Sequence, residues 1–269
     1  MPQPVVKDKL PKKKMKFMDR KLAKGLGEAV AKRTILRTDE KGNLETWSDV
    51  AKRVATGNTS LIKSKKHKEE EYELMRKHIA NASLLMSGRH LQHGDDTQNG
   101  RNMEVFTNCS TASSSFLLFY LLLNGSGVGR AYDDDLMVVD WDHMPIIRCV
   151  LDENHPDFIW GEDESVRDAK HKYGKVYWFE VPDTREGWAQ AVEKIETMAF
   201  EKKYKDNLLI IDFSKVRPKG SKIKGMQNRP ASGPRPLMKA IQKVATVKNA
   251  GMDPWKQTIF VDHYLSECV

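Results

Sequence analysis

Four segments of this 269-residue sequence hold residue types that could do chemistry. The first is Thr107-Asn108-Cys109-Ser110. A thiol among small polar residues is redox-active if it is exposed and readily ionised, and inert if it is buried. The second is Asn124-Gly125-Ser126-Gly127-Val128-Gly129. Alternate glycines let a backbone approach a phosphate or a neighbouring strand. The Gly-Lys-Ser/Thr ending of a Walker loop is absent, as is the full dinucleotide fingerprint, so a structural turn and a phosphate cradle both stay open. The third runs from Val216-Arg217-Pro218-Lys219-Gly220 through Gly225-Met226-Gln227-Asn228-Arg229-Pro230 to Ser232-Gly233-Pro234. Long ordered loops are often functional. Five basic residues between Arg217 and Arg229 would suit a nucleotide phosphate, or simply a solvated surface. The fourth is His155-Pro156-Asp157, where Pro156 favours an extended His155 and a turn or cap rather than catalysis.

The remaining composition narrows the choices. Cys109, Cys149 and Cys268 are far apart, with no CxxC pair and no zinc-type Cys/His spacing, so neither a disulfide framework nor a metal site is expected. The net charge of +8 is concentrated in residues 1–33, which carry eleven Lys and Arg against three acids. That basic tail, with Lys12, Lys13, Lys14 and Lys16, reads as a partly disordered solvated arm, or as a contact for polyanions. The longest apolar run, Phe116 to Leu123, falls well short of the roughly 20 residues of a membrane span. With no signal-peptide pattern either, a soluble cytoplasmic protein with no membrane partner is expected.

The elements that must position these segments follow from periodicity. Lys21 to Ala31 is a short candidate helix. Trp47, Val50, Ala51 and Val54 recur at helical spacing behind Thr46 as cap, and Tyr72, Met75, Ile79 and Ala82 do so within Glu69 to Met86. Ser87 to Arg101 lacks periodicity and reads as a loop. Beyond it the elements alternate. Leu136 to Val139 and Ile146 to Val150 are runs of strand length. Lys175 to Val181 and Leu208 to Phe213 read as strands, and Thr184 to Phe200 and Leu237 to Val244 as helices. Asp183, three residues before Glu186, is placed to form a capping box. Val216 to Gly233 is a long loop. The order predicts a helical region over 34–100 followed by an α/β region over 101–269.

The segments also fall in a recognisable order: Arg33-Thr34, Glu45-Thr46-Trp47, Ser87-Gly88-Arg89, Asn108-Cys109, Gly125 to Gly129, Asn154-His155-Pro156-Asp157, Asp183-Thr184-Arg185-Glu186-Gly187-Trp188, Arg217-Pro218-Lys219-Gly220 and Ser232-Gly233-Pro234. This order resembles the first half of adenosylcobalamin-dependent (class II) ribonucleotide reductases, and in particular the monomeric ribonucleoside-triphosphate type. The resemblance covers about residues 33–269. It implies an α/β fold in which a helical N-terminal region precedes the first half of a ten-stranded α/β barrel. It implies a ribonucleotide substrate, a deoxynucleotide effector, adenosylcobalamin as cofactor and a thioredoxin-like reductant. By resemblance, Cys109 is the first of the reducing cysteine pair. Ser87, Asn108, Ser110 and Gly127 bind substrate, and Asp183, Arg185, Arg217, Lys222, Gln227, Arg229 and Ser232 bind effector. The stretch Gly225 to Pro230 is bulkier than the glycine-rich family counterpart. The radical cysteine and second reducing cysteine of the family are not among these residues, so a second polypeptide completing the barrel is expected. The alternative is a catalytically inactive deoxynucleotide-binding regulatory protein. A nucleic-acid-binding protein using the basic tail is a third reading.

Overall fold

The computed structural model describes residues 25–39, 41–94, 109–137, 139–167, 169, 175–223 and 229–269. The chain separates into two compact units, Met1–Gly100 and Arg101–Val269.

The first unit is helical. Helix α1 spans Leu26–Thr34, α2 Trp47–Thr59, α3 Lys65–Ala80 and α4 Gly88–His93. Thr46 caps α2 as its sequence predicts: its side chain accepts from Asp49 N–H, while Asp49 accepts from the Thr46 backbone. Val50, Ala51 and Val54 then share one face and pack with Ala31, Leu36, Ile79 and Leu91. The indole N–H of Trp47 donates to the Ile79 carbonyl at 3.0 Å, tying α2 to the end of α3. Arg53 fastens the loops: it pairs with Glu45 and donates to the carbonyls of Leu91 and Ile35. Two expectations are corrected here. Helix α3, expected to run from Glu69 to Met86, stops at Ala80, because Ala82 takes a left-handed conformation (φ 52°) that breaks the helical path. The segment after it is not all loop, since Ser87 accepts from the His90 N–H and starts α4.

The second unit is α/β. Strand β1 (Cys109–Thr111) leads into α5 (Ser115–Leu123) and then β2 (Gly127–Gly129). Strands β3 (Ile146–Leu151), β4 (Glu164–Ser165) and β5 (Val176–Glu180) come next, followed by α6 (Arg185–Ala199) and β6 (Leu208–Asp212). The short strands β7 (Lys222–Ile223) and β8 (Arg229–Pro230) precede α7 (Arg235–Ala245) and α8 (Pro254–Ser266). Strands β3 to β6 form one parallel sheet in the order β4-β3-β6-β5. All five residues of β6 are buried, as a parallel strand covered on both faces requires. Side chains alternate between two cores. Cys149, Leu151, Leu209 and Ile211 join Val192, Ile195, Leu237 and Ile241 on one face, and Val150, Leu208 and Ile210 join Ala169 on the other.

Three local expectations differ from this unit. Leu136 to Val139 forms no strand among its described residues; Asp134–Leu136 is a single 3₁₀ turn. The Val216–Gly233 loop contains the antiparallel β7-β8 pair. The cap of α6 is Thr184, whose hydroxyl accepts from Gly187 N–H at 2.9 Å, rather than Asp183. Thr184 sits three residues before Gly187, and Asp183 is drawn away by an arginine described below.

Candidate functional site

Two clusters in the second unit gather the predicted residues. The first surrounds Cys109. Strands β1 and β2 pair in parallel, with Cys109 opposite Gly127, Ser110 opposite Val128 and Thr111 opposite Gly129. The connection between them is α5, a short β-α-β crossover. Glycine at both flanking positions of β2 leaves its backbone accessible beside the cysteine strand. The Ser110 and Ser126 hydroxyls lie 2.9 Å apart. Cys109 is exposed, whereas Cys149 is buried in the core and Cys268 is half-buried with its thiol donating to the Leu265 carbonyl. Burial pushes the thiols of Cys149 and Cys268 up to about 12, so neither ionises readily at neutral pH. Next to β1 and β2 opens a cleft of about 600 Å³ lined by Thr111, Ser113, Leu117, Gly129, Arg130 and Met137 among others.

A buried polar network holds this cluster in place. Arg130, directly after β2, donates through Nη1 to Asp262 on α8 at 2.9 Å and to the Ser115 hydroxyl at 2.8 Å. Its Nη2 donates to the Ser113 carbonyl at 3.1 Å, and the Tyr132 hydroxyl donates to Asp262 at 2.9 Å. Both Arg130 and Asp262 side chains are only 4% exposed, so this is a desolvated ion pair. Glu196 of α6 accepts from the N–H groups of Ser115 and Phe116, both at 2.9 Å, neutralising the positive end of α5. Burial raises the proton affinity of both Glu196 and Asp262; for Glu196 two backbone N–H donors act against it, and for Asp262 the Arg130 charge does. Burial also pushes the Tyr132 hydroxyl upward.

The second cluster lies beyond the carboxyl ends of β3, β5 and β6, which are adjacent and parallel. That edge is where open parallel sheets receive ligands, because the loops leaving the strands converge there. Arg217, five residues past β6, donates through Nε to Asp183 at 2.7 Å, both about one-third exposed. His155 and Asp157, after β3, touch the same loop: His155 Nε2 lies 2.8 Å from the Val216 carbonyl, and Asp157 accepts from the Lys219 N–H at 2.7 Å.

The predicted site residues therefore separate. Cys109, Ser110 and Gly127 come together. Asp183 and Arg217 come together as an ion pair, with Ser232 at the return of the same loop. Arg185 turns the other way and donates to Asn124 Oδ1 at 3.0 Å, at the start of the glycine segment. Lys222 and Arg229 sit on β7 and β8, where Lys222 pairs with Pro230 and Ile223 with Arg229. Ser87 belongs to the first unit, where it caps α4. Asn108 and Gln227 lie outside the described residues. Sequence reasoning misses Arg130, Tyr132, Glu196 and Asp262. One signal was present: Glu196 sits on the apolar stripe of α6, four residues after Val192 and three before Ala199, where an unpaired carboxylate would be costly.

Fold and site together define an α/β chain with an exposed thiol and a basic strand-end loop, and in sequence and fold it is similar to vitamin-B12-dependent ribonucleotide reductases. A family model described as the insertion domain of B12-dependent ribonucleotide reductase matches residues 160–248. Adenosylcobalamin-dependent ribonucleoside-triphosphate reductases of Lactobacillus leichmannii and Lactobacillus helveticus are 29% and 28% identical over 83% of this chain and 36% of theirs. A Mycobacterium phage D29 protein, provisionally given the same name, is 28% identical over 90% of this chain and 38% of its own. The crystal structure of a B12-dependent (class II) ribonucleotide reductase superposes with a TM-score of 0.69 at 24% identity, covering 90% of this chain and 40% of that one, which is a likeness of fold. The resemblance to class II reductases read from the sequence thus stands, over their N-terminal part. The chain spans little more than a third of the length of these relatives. Among the described residues no helix is long and apolar enough to cross a membrane.

Proposed function

We propose that this chain is the N-terminal part of a ribonucleotide reductase that converts ribonucleoside triphosphates to deoxyribonucleotides. One observation carries the reading: of its three cysteines only Cys109 is exposed, and it begins the strand that matches the family's Asn-Cys segment and whose last residue, Thr111, lines a cleft. In this reading Cys109 is one of two thiols that reduce the substrate. The two thiols give up two electrons and two protons, the ribose 2′-hydroxyl leaves as water, and a disulfide forms. Cys149 and Cys268 do not suit the second role, because burial keeps both thiols protonated. The second thiol and the radical-bearing cysteine then lie outside residues 1–269, and a second polypeptide that supplied them would also complete a barrel. Among the described residues β1 and β2 form a sheet of two strands, which favours such a partner, because strand-edge N–H and C=O groups seek another strand.

Adenosylcobalamin, when bound, supplies the radical through its cobalt–carbon bond. Among the described residues no group of three or more His, Cys, Asp and Glu is arranged to hold a metal, and the reading assigns none of this chain's residues to the cofactor. What the chain contributes is substrate contact by Ser87, Asn108, Ser110 and Gly127, and reduction by Cys109. The loops carrying Asp183, Arg185, Arg217, Lys222, Gln227, Arg229 and Ser232 bind a deoxynucleotide effector. The pairing of Asp183 with Arg217 at a strand-end crevice supports the last role, since both groups can exchange this contact for ribose hydroxyls and phosphate. A thioredoxin-like reductant regenerates the thiols. The test is reconstitution: the chain, a polypeptide supplying the remaining two-thirds of a relative, adenosylcobalamin, a ribonucleoside triphosphate and a dithiol should yield deoxynucleotide. No product from a complex shown to assemble overturns the reading.

A further inference from the structure

The Asn154–Asp157 turn has no role in the reading above, yet it contacts both ends of the Val216–Gly233 loop. Asp152 organises the turn, its Oδ1 accepting from the Asn154 N–H at 2.7 Å and from the Asn154 side chain at 2.8 Å. The Asp157 N–H donates to His155 Nδ1 at 3.1 Å, so the ring proton lies on Nε2, which donates to the Val216 carbonyl at 2.8 Å. The Asp157 carboxylate then accepts from the Lys219 N–H at 2.7 Å, where the loop departs. At its return the same carboxylate lies against Gly233: a Cβ there would sit 2.5 Å from Asp157 Oδ2 and 2.9 Å from the Lys219 nitrogen. Gly233 also has φ +77°, so a side chain is excluded twice over. Arg235, two residues on, reaches back to the Asp157 carbonyl at 3.4 Å and anchors to Asp163 at 2.7 Å. The departing and returning strands meet directly, with Gly220 N–H donating to the Ala231 carbonyl at 2.9 Å and Ala231 N–H to the Ser221 carbonyl at 2.8 Å.

We infer that Asp157, oriented by His155, is a positioning residue that closes the base of the Val216–Gly233 loop and sets the placement of Arg217 toward a bound nucleotide. The inference rests on the effector reading of that loop. A carboxylate suits the task because a charged acceptor to a backbone N–H is stronger than a neutral one, and because its small head fits against a glycine. Asp157 touches no ligand group itself. It acts by fixing where Lys219 and Gly233 lie, while His155 holds Val216, so that Arg217 is kept between two anchored residues.

The test uses the full chain in wild-type, D157A, D157N and G233A forms, with two readouts. Amide hydrogen exchange reports closure at Lys219, Gly220 and Ala231, and calorimetry with a deoxynucleoside triphosphate reports binding. D157A removes a charge-assisted bond, so exchange at Lys219 should quicken and affinity fall by about tenfold each. D157N keeps an acceptor oxygen but loses the charge and should fall between wild type and D157A, which separates positioning from a folding defect. G233A should behave like D157A. Unchanged exchange in D157A overturns the clamp. Faster exchange with unchanged affinity shows the closure to be merely structural and overturns the inference. If the wild-type chain binds no deoxynucleotide, the effector reading itself fails and takes the inference with it, whatever the exchange data show.

Discussion

A thiol reacts only if it can be reached and ionised. Cys109 is exposed on β1, while burial holds the thiols of Cys149 and Cys268 at about 12. Iodoacetamide should therefore modify Cys109 alone in the native chain, and the other two only after denaturation. Mass spectrometry of the labelled peptides checks this. Native C109S should take up no label, and rapid native labelling of Cys149 would contradict the assignment. The sequence marks Cys109 as a group that could react, but nothing in Thr107 to Ser110 tells which way the thiol faces. Its exposure depends on the pairing of β1 with β2, a contact between residues 18 apart in register. Asp183 teaches the same lesson. Its spacing to Glu186 suits a cap, but Thr184 fills that role and Asp183 turns to Arg217, 34 residues away.

At the level of elements, the buried polar network joins α5, α6 and α8 to the end of β2. R130M should leave Asp262 buried and uncompensated, costing about 3–5 kcal/mol in urea denaturation, while R130M/D262L should recover part of that loss. A cost below about 1 kcal/mol for R130M would mean that water reaches Asp262 in the native state. Glu196 gives a pH signature. Burial raises its folded-state pKa, so its contribution to stability is full below the unfolded value of about 4.3 and is lost as pH rises through the folded value. E196Q removes that titration. Denaturation midpoints taken from about pH 4 to 7 should then fall less with rising pH than in the wild type. A wild-type slope retained in E196Q would assign it to another group. The helices and strands themselves are largely legible. Strand β6 announces itself by unbroken Leu and Ile, and α6 by Trp188, Val192, Ile195 and Ala199. Helix α8 goes unforeseen because its apolar and polar residues are mixed: Gln257, Thr258 and Asp262 are buried beside Val261 and Leu265, each of the three polar groups held by a hydrogen bond. The short β7-β8 pair is hidden by glycine and proline, which read as loop.

For the molecule as a whole, the mixed α/β character follows from the alternation of elements, and the likeness to class II reductases from the order of short segments no one of which is specific. The strand order β4-β3-β6-β5 does not follow, because it depends on which strands meet after distant crossovers. The proposed division of labour has Cys109 and the nucleotide loops of these residues serve a reductase whose radical chemistry resides outside them. The most direct measurement is single-turnover formation of deoxynucleotide by the prereduced, reconstituted complex without added dithiol, comparing wild-type chain with C109S. The account predicts up to one deoxynucleotide per wild-type complex, with Cys109 recovered afterwards in a disulfide with a cysteine of the partner polypeptide, and no product with C109S. Equal product from C109S, or a Cys109 thiol still free after turnover, would contradict it.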